Sequence, residues 1–277
     1  MKNPSQLDDL RYKFGSNWQS YIDTAFSPER LQHAIDSMQY MLGKHDLTGC
    51  RFLDIGCGSG IFSLAANMLG AEYVESFDYD QNSVQATLAI RQRYGIAVEK
   101  WHIQQGSVLD SQFMQTIGMA DVVYSWGVLH HTGSMWAAIQ AAAQKVQPGG
   151  VFALSIYNEV HNPIMTSARW LKLKRFYNQA PTLVQRGLEA LYAAAFIAVD
   201  AAKFHNPLTT IQRYNRDEQR GMDFWHDVRD WLGGYPYEYA NPGAIFTFLH
   251  KEMGFELMYL NTSYGSGCNE FTFRRPV

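Results

Sequence analysis

Cysteine is scarce and charge is thin in this sequence. Three cysteines, Cys50, Cys57 and Cys268, occur in 277 residues. An odd number without metal-ligand spacing excludes a disulfide framework, argues against a thiolate metal site, and suits a reducing, cytoplasmic setting. Charged residues make up 18% and the net charge is −3, so the chain as a whole has no affinity for nucleic acid or anionic membranes. The opening Met-Lys-Asn-Pro-Ser-Gln has no apolar core, so no signal peptide is expected. The most apolar stretch, Leu188 to Phe204, is 17 residues long and contains Glu189, Asp200 and Lys203. It is too short and too charged to span about 30 Å of hydrocarbon, so no transmembrane segment is expected. It reads as a buried helix of a lid or of a homodimer contact, or alternatively as a greasy wall for an apolar substrate. What remains, 47% hydrophobic residues, is ordinary for a chain that buries a core.

The most informative run is Phe52-Leu53-Asp54-Ile55-Gly56-Cys57-Gly58-Ser59-Gly60. It reads as a short buried strand, a glycine loop, and then an apolar helix from Ile61 to Leu69. Such a loop lets a ligand approach bare backbone, where free N–H groups point outward. A dinucleotide fingerprint requires a third glycine at residue 61, and residue 61 is Ile. A second strand spans Ala71 to Phe77 and delivers Asp78, 18 positions after Gly60, where a Rossmann-like sheet places the carboxylate that holds ribose hydroxyls. Asp80 is the alternative ribose ligand, but Asp80-Gln81-Asn82-Ser83 reads better as a helix start. Strands follow at Val98 to Gln105, at Ala120 onward, and at Val151 to Tyr157. Five strands alternating with helical stretches over about 110 residues predict a parallel, doubly wound α/β sheet.

Asp-Ile-Gly-Cys-Gly-Ser-Gly resembles the first motif of the class I S-adenosylmethionine-dependent methyltransferases, and the later motifs of that family follow in order over about residues 48–158. The resemblance implies a Rossmann-like, seven-stranded, mostly parallel sheet with helices on both faces. Phe255 to Leu260 and Glu270 to Arg274 would be the last two strands. It also implies S-adenosylmethionine as cofactor. Asp54 suits the methionine ammonium, Gly56, Cys57, Gly58 and Gly60 form the loop, Asp78 meets the ribose, and Tyr79 lies against the adenine. Ser107 stands where the family often has Asp; its hydroxyl and the Val108 N–H remain available to the adenine edge. Asp110 reads as a helix cap. Trp126, in the segment Ser125-Trp126-Gly127-Val128 that resembles the fourth motif, would lie beside the sulfonium. Phe14 and Trp18, in an aromatic N-terminal helix over the cleft, would offer cation–π contact or simply dock that helix.

The chain then divides into an N-terminal helical segment, 1–47; a cofactor-binding core, 48–158; a helical cap inserted after the fifth strand, 159–240; and 241–277, which completes the sheet. In the N-terminal segment, Ser27-Pro28-Glu29 and Gly43 bound a helix over 28–42. In the cap, Arg169 to Arg175 holds four positive charges that could grip an anionic acceptor or form a solvated face. The block 220–240 packs aromatics, a His-Asp pair and Gly233-Gly234 together, and with Gly267 to Phe271 it resembles a bacterial subgroup of these enzymes. Trp225, Tyr235, Tyr237 and Tyr239 are the candidate acceptor contacts. His130, His131 and His226 are the candidate bases, with His130 and His226 preferred. The resulting expectation is methyl transfer to a small, natural-product or sugar-like, anionic or apolar molecule at O, C or N. Methylation of RNA or protein, or a non-catalytic cofactor-binding subunit, are the alternatives.

Overall fold

The computed structural model describes Tyr12, Gly15, Trp18 and residues 26–163, 165–217 and 224–277. Phe14 and residues 220–223 fall outside it.

Helix α1, Pro28–Leu42, starts where Ser27 accepts the Arg30 N–H at 3.3 Å with Pro28 in the first turn, and stops at Gly43 with φ +62°. The sequence bounds of this helix hold. Strand β1, Arg51–Ile55, leads through the glycine loop into α2, Ile61–Met68. Then come β2, Tyr73–Asp78; α3, Gln81–Arg93; β3, Trp101–Gln105; α4, Ser111–Thr116; β4, Ala120–Trp126; α5, Met135–Ala143; and β5, Val146–Tyr157. Asp80 and Asp110 cap α3 and α4 through the N–H groups of Asn82 and of Gln112 and Phe113.

Strand β6, Glu256–Asn261, and β7, Cys268–Arg274, finish a seven-stranded sheet in the order β3-β2-β1-β4-β5-β7-β6. The first five strands are mutually parallel, and β7 is antiparallel to both β5 and β6. This is the expected Rossmann-like sheet. Its strand order reverses between β1 and β4, which opens a crevice at their carboxyl ends.

The strand starts furthest from expectation are those of β3 and β5. Residues 98–100 form a turn in which Lys100 N–H donates to the Ala97 carbonyl, so β3 begins at Trp101. Strand β5 begins at Val146, before Pro148-Gly149-Gly150, because the register with β4 shifts between Ala120 and Val122 and absorbs that turn as an irregularity.

One core packs α5 and the C-terminal helix α10, Pro242–Phe246, on one sheet face; the other packs α1 and α2 on the opposite face. Between β5 and α10 lie α6, Ser167–Gln179; α7, Thr182–Ala202; α8, Thr210–Asp217; and α9, Phe224–Gly233. They share a small core of Tyr177, Ala193, Phe224, Val228 and Leu232.

Helix α7 corrects the expectation of a buried helix, since Ala193 is its only buried residue. It is 21 residues long and contains a window of mean hydropathy 1.2, so by length and composition alone it could cross a membrane.

Candidate active site

The crevice at the carboxyl ends of β1, β2 and β4 opens into a cavity of about 850 Å³. Its floor is the glycine loop. Gly56 (φ +80°) and Gly58 (φ +55°) occupy left-handed backbone, and both line the cavity with Cys57. A Cβ on Gly56 would clash 2.3 Å from a Val128 methyl, and one on Gly58 would crowd the Trp18 indole at 3.1 Å. Cys57 is buried with its thiol pushed well up by desolvation, so it packs as a small inert residue.

Asp78 ends β2 at the loop. Its Oδ2 accepts the Gly58 N–H at 3.0 Å and its Oδ1 accepts the Asp80 N–H at 2.8 Å. Burial raises this carboxyl to about 6 despite those donors. Two backbone bonds use only part of a carboxylate's acceptor capacity, so oxygens remain for two ribose hydroxyls. Tyr79, Ser107, Val108, Trp126 and Trp18 also line the cavity. Trp126 is held by its indole N–H to Glu270 at 2.9 Å. Asp80, besides capping α3, accepts the Gly15 N–H at 2.9 Å and so ties the N-terminal segment to the rim. A bare-backbone floor, a carboxylate at the end of β2 and aromatic walls fit the amino-acid, ribose and sulfonium parts of S-adenosylmethionine.

Several predicted residues stand elsewhere. Asp54 does not line the cavity. It is buried beneath the loop, accepting the Ser63 hydroxyl at 2.5 Å, in a chain that runs on through Ser76 to the Trp101 indole. Desolvation raises its carboxyl to about 7. Successive strand side chains point to opposite faces, and it is Ile55 that reaches the cavity. Gly60 also lies outside the lining: it starts α2 at φ +81°, and a Cβ there would lie 2.8 Å from Thr87.

His130 is fully buried behind His131, with ring centroids 4.4 Å apart, and desolvation holds it neutral. His226 is buried and outside the lining. Trp225 is partly exposed, and Tyr235, Tyr237 and Tyr239 form a layer behind the wall, with Tyr237 5.1 Å from the Tyr157 ring. These five do not line the cavity.

Their neighbours line it instead. Asp227, Asp230 and Trp231 of α9 line the cavity at i, i+3 and i+4, one side of a helix. Tyr192 of α7, Tyr157 at the end of β5, Asn261 at the end of β6, Cys268 and Glu270 of β7, Tyr12, and His131 join them. Tyr157 was findable from the sequence as the carboxyl-terminal residue of its strand.

His131 Nδ1 lies 2.6 Å from the Pro236 carbonyl oxygen. An acceptor there places a proton on Nδ1, so in the neutral ring the lone pair is on Nε2. Gly233 and Gly234 are explained by crowding, since a Cβ on Gly233 would lie 2.3 Å from the Tyr12 ring and one on Gly234 2.8 Å from His131 Cε1.

The basic run does not reach the cavity. Lys174 is wholly buried, with Nζ donating to the Trp231 carbonyl and lying 4.4 Å from the Trp231 ring centroid and 4.9 Å from that of Tyr237. Desolvation lowers its ammonium to about 7. Among the described residues no group of three or more His, Cys, Asp or Glu is placed to hold a metal ion.

Residues 25–195 match the family described as a methyltransferase domain. The chain belongs to that methyltransferase family. Its cofactor is S-adenosylmethionine, as the match and the cavity floor agree. A ubiquinone biosynthesis O-methyltransferase of Xanthomonas oryzae is 32% identical over 136 residues, 48% of this chain and 55% of the relative. A ribosomal protein L11 methyltransferase of Pseudomonas savastanoi is 35% identical over 114 residues, 41% of this chain and 36% of the relative. The chain thus spans about half, or less, of the length of these curated relatives. Among solved structures, the magnesium protoporphyrin IX methyltransferase of Synechocystis PCC 6803 with bound S-adenosylhomocysteine superposes with a TM-score of 0.57 at 14% identity, covering 99% of this chain and 100% of that one. That likeness concerns the fold.

Proposed function

We propose that this protein transfers the methyl group of S-adenosylmethionine to a small-molecule acceptor held in the chamber between the glycine loop and α9. The observation that carries this reading is the continuity of the cavity. One space runs from Gly56, Gly58 and Asp78 to a chamber walled by Tyr157, Tyr192, Asp227, Asp230 and Trp231. An acceptor enclosed by the chain's own helices suits a small molecule better than a folded macromolecule.

When bound, S-adenosylmethionine supplies an electrophilic methyl group on a sulfonium sulfur. The protein's residues hold the acceptor in line with it and exclude water, which accounts for most of the rate in such a transfer. Asp78 holds the ribose, Trp126 and Trp18 offer aromatic faces near the sulfonium, and His131 Nε2 takes the proton of a hydroxyl acceptor. In this assignment 159–240 is the acceptor cap, 48–158 the cofactor core, 1–47 a cover over the cleft, and 241–277 the completion of the sheet. The setting is the cytoplasm, in keeping with three cysteines that form no disulfide.

The names of the relatives include small-molecule methyltransferases and a ribosomal-protein methyltransferase, so the test separates the two classes. Release of S-adenosylhomocysteine is measured with the dialysable and the retained fractions of a cell extract. Turnover with the dialysable fraction is expected; turnover with the retained fraction alone would assign a macromolecular acceptor.

A further inference from the structure

Helix α7 is apolar on its exposed side as well as on its packed side, where Leu188, Tyr192, Ala193 and Phe196 join the core of the cap. Its packed side holds the acids. Glu189 accepts the Tyr177 hydroxyl at 2.7 Å and faces Arg229 at 3.7 Å, while Asp200 accepts the Thr210 hydroxyl at 2.7 Å and pairs with His205 and Arg213. From Gly187 to Ala202 every exposed residue is Gly, Ala, Leu or Val. Leu183 is 83% exposed, Leu191 67% and Val199 59%. A surface helix of a globular protein ordinarily turns charge outward and apolar residues inward.

The apolar surface continues past the helix end. Phe204 stands at φ +63°, at the helix-terminating position that glycine usually fills, with its side chain fully exposed, and Leu208 is 88% exposed. Left-handed backbone is unfavourable for a bulky residue, so the chain accepts strain to present this ring to the outside.

The charge around the face is positive. Leaving out the buried Lys174, residues 163–217 hold seven Lys or Arg against three Asp or Glu, a balance of +4 in a chain whose net charge is −3. Arg186 and Lys203, near the ends of α7, and Lys172 on the adjacent α6 are all exposed. Two of the three acids are the inward-facing Glu189 and Asp200.

We propose that α7 docks flat on an anionic lipid bilayer, with its apolar face and Phe204 at the headgroup boundary and the flanking cations on the lipid phosphates. An apolar stripe with basic flanks is the composition of an interfacial helix. A second copy of the chain is the weaker occupant. A two-fold contact through α7 would set this positive segment against itself, whereas anionic lipid supplies the opposite sign. Tyr192, on the other side of the same helix, lines the acceptor chamber, so the helix stands between chamber and lipid. The proposal goes beyond the transfer reaction and does not depend on it.

The test is flotation of the full chain with phosphatidylcholine vesicles, with and without phosphatidylglycerol, at low and high salt. Binding is expected with phosphatidylglycerol, weakened by salt, and reduced at least about fivefold by Leu191→Glu. Phe204→Ser, which lies beyond the helix, is expected to reduce it in the same direction without perturbing helix packing. Circular dichroism and S-adenosylhomocysteine calorimetry confirm that each variant is folded. Absence of binding to phosphatidylglycerol vesicles overturns the proposal, as does binding that neither substitution weakens. A dimer in sedimentation velocity that Leu191→Glu disperses, without vesicle binding, assigns the face to a second copy instead.

Discussion

The Nδ1 atom of His131 sits 2.6 Å from the carbonyl oxygen of Pro236, so the tautomer of a cavity-lining imidazole is set by a backbone acceptor 105 residues away. In the proposed reaction this favours His131, which lines the cavity, over His130 and His226, which do not, as the base for an acceptor in the chamber.

Replacing His131 by Ala should lower kcat by about 10²–10⁴-fold for a hydroxyl acceptor, the usual worth of a positioned base. S-adenosylhomocysteine affinity, measured by calorimetry, should stay near wild type. Unchanged kcat would remove His131 from proton transfer. Gly234→Ala tests the same ring indirectly, because a Cβ there would lie 2.8 Å from His131 Cε1. It should depress kcat while leaving cofactor affinity intact.

Asp78 gives cofactor binding a pH dependence. Its carboxyl is raised to about 6 in the free protein. Ribose hydroxyls donate to the ionised form, so protonation competes with binding. Affinity should be constant above about pH 7 and should weaken as pH falls through 6, approaching tenfold per unit. Asp78→Asn should remove that dependence. Asp78→Ala should cost the charge-assisted hydrogen bonds, each about 1.5–3 kcal/mol. Isothermal titration across pH 5–8 reads all three.

The glycine loop should tolerate no side chain where the cofactor meets backbone. Gly58→Val combines a φ of +55° with a Cβ contact 3.1 Å from Trp18. Cofactor binding should be lost while the far-UV circular dichroism persists. Normal affinity in that variant would mean that this loop is not the binding floor.

Lys174 should leave a signature in stability rather than in chemistry. Its ammonium falls from 10.5 to about 7 on burial, so the unfolded chain binds more protons than the native one between those values. The stability of the wild type should therefore rise with pH across that window, and the destabilisation is fully present below about pH 7. Lys174→Met should lack the rise and be no less stable at neutral pH, since it removes a buried charge and keeps the apolar length. The difference in Tm between the two proteins at pH 7 and pH 9 cancels the other titrating groups.

Local sequence determined the cofactor half of this protein. Gly56, Gly58 and Asp78 are legible because a strand end, a glycine loop and a helix start are short-range events, and their spacing fixes where a ligand meets backbone. Ser27, Asp80 and Asp110 are legible for the same reason, each capping a helix within three residues of itself. Asp54 was not, because β1 is buried on both faces and periodicity cannot tell which side chain meets the cavity.

The acceptor half was decided only by tertiary structure. The composition of 220–240 marks a wall, but the rotation of α9 about its axis selects Asp227, Asp230 and Trp231 over Trp225 and His226. His131 gains its role from Pro236, and Lys174 loses its surface charge to three aromatic rings, through contacts between residues far apart in the chain. Composition also made α7 look like a core helix. Its orientation instead sets Glu189 and Asp200 on the packed side with Leu188, Tyr192, Ala193 and Phe196, and leaves Leu191 and Val199 outside.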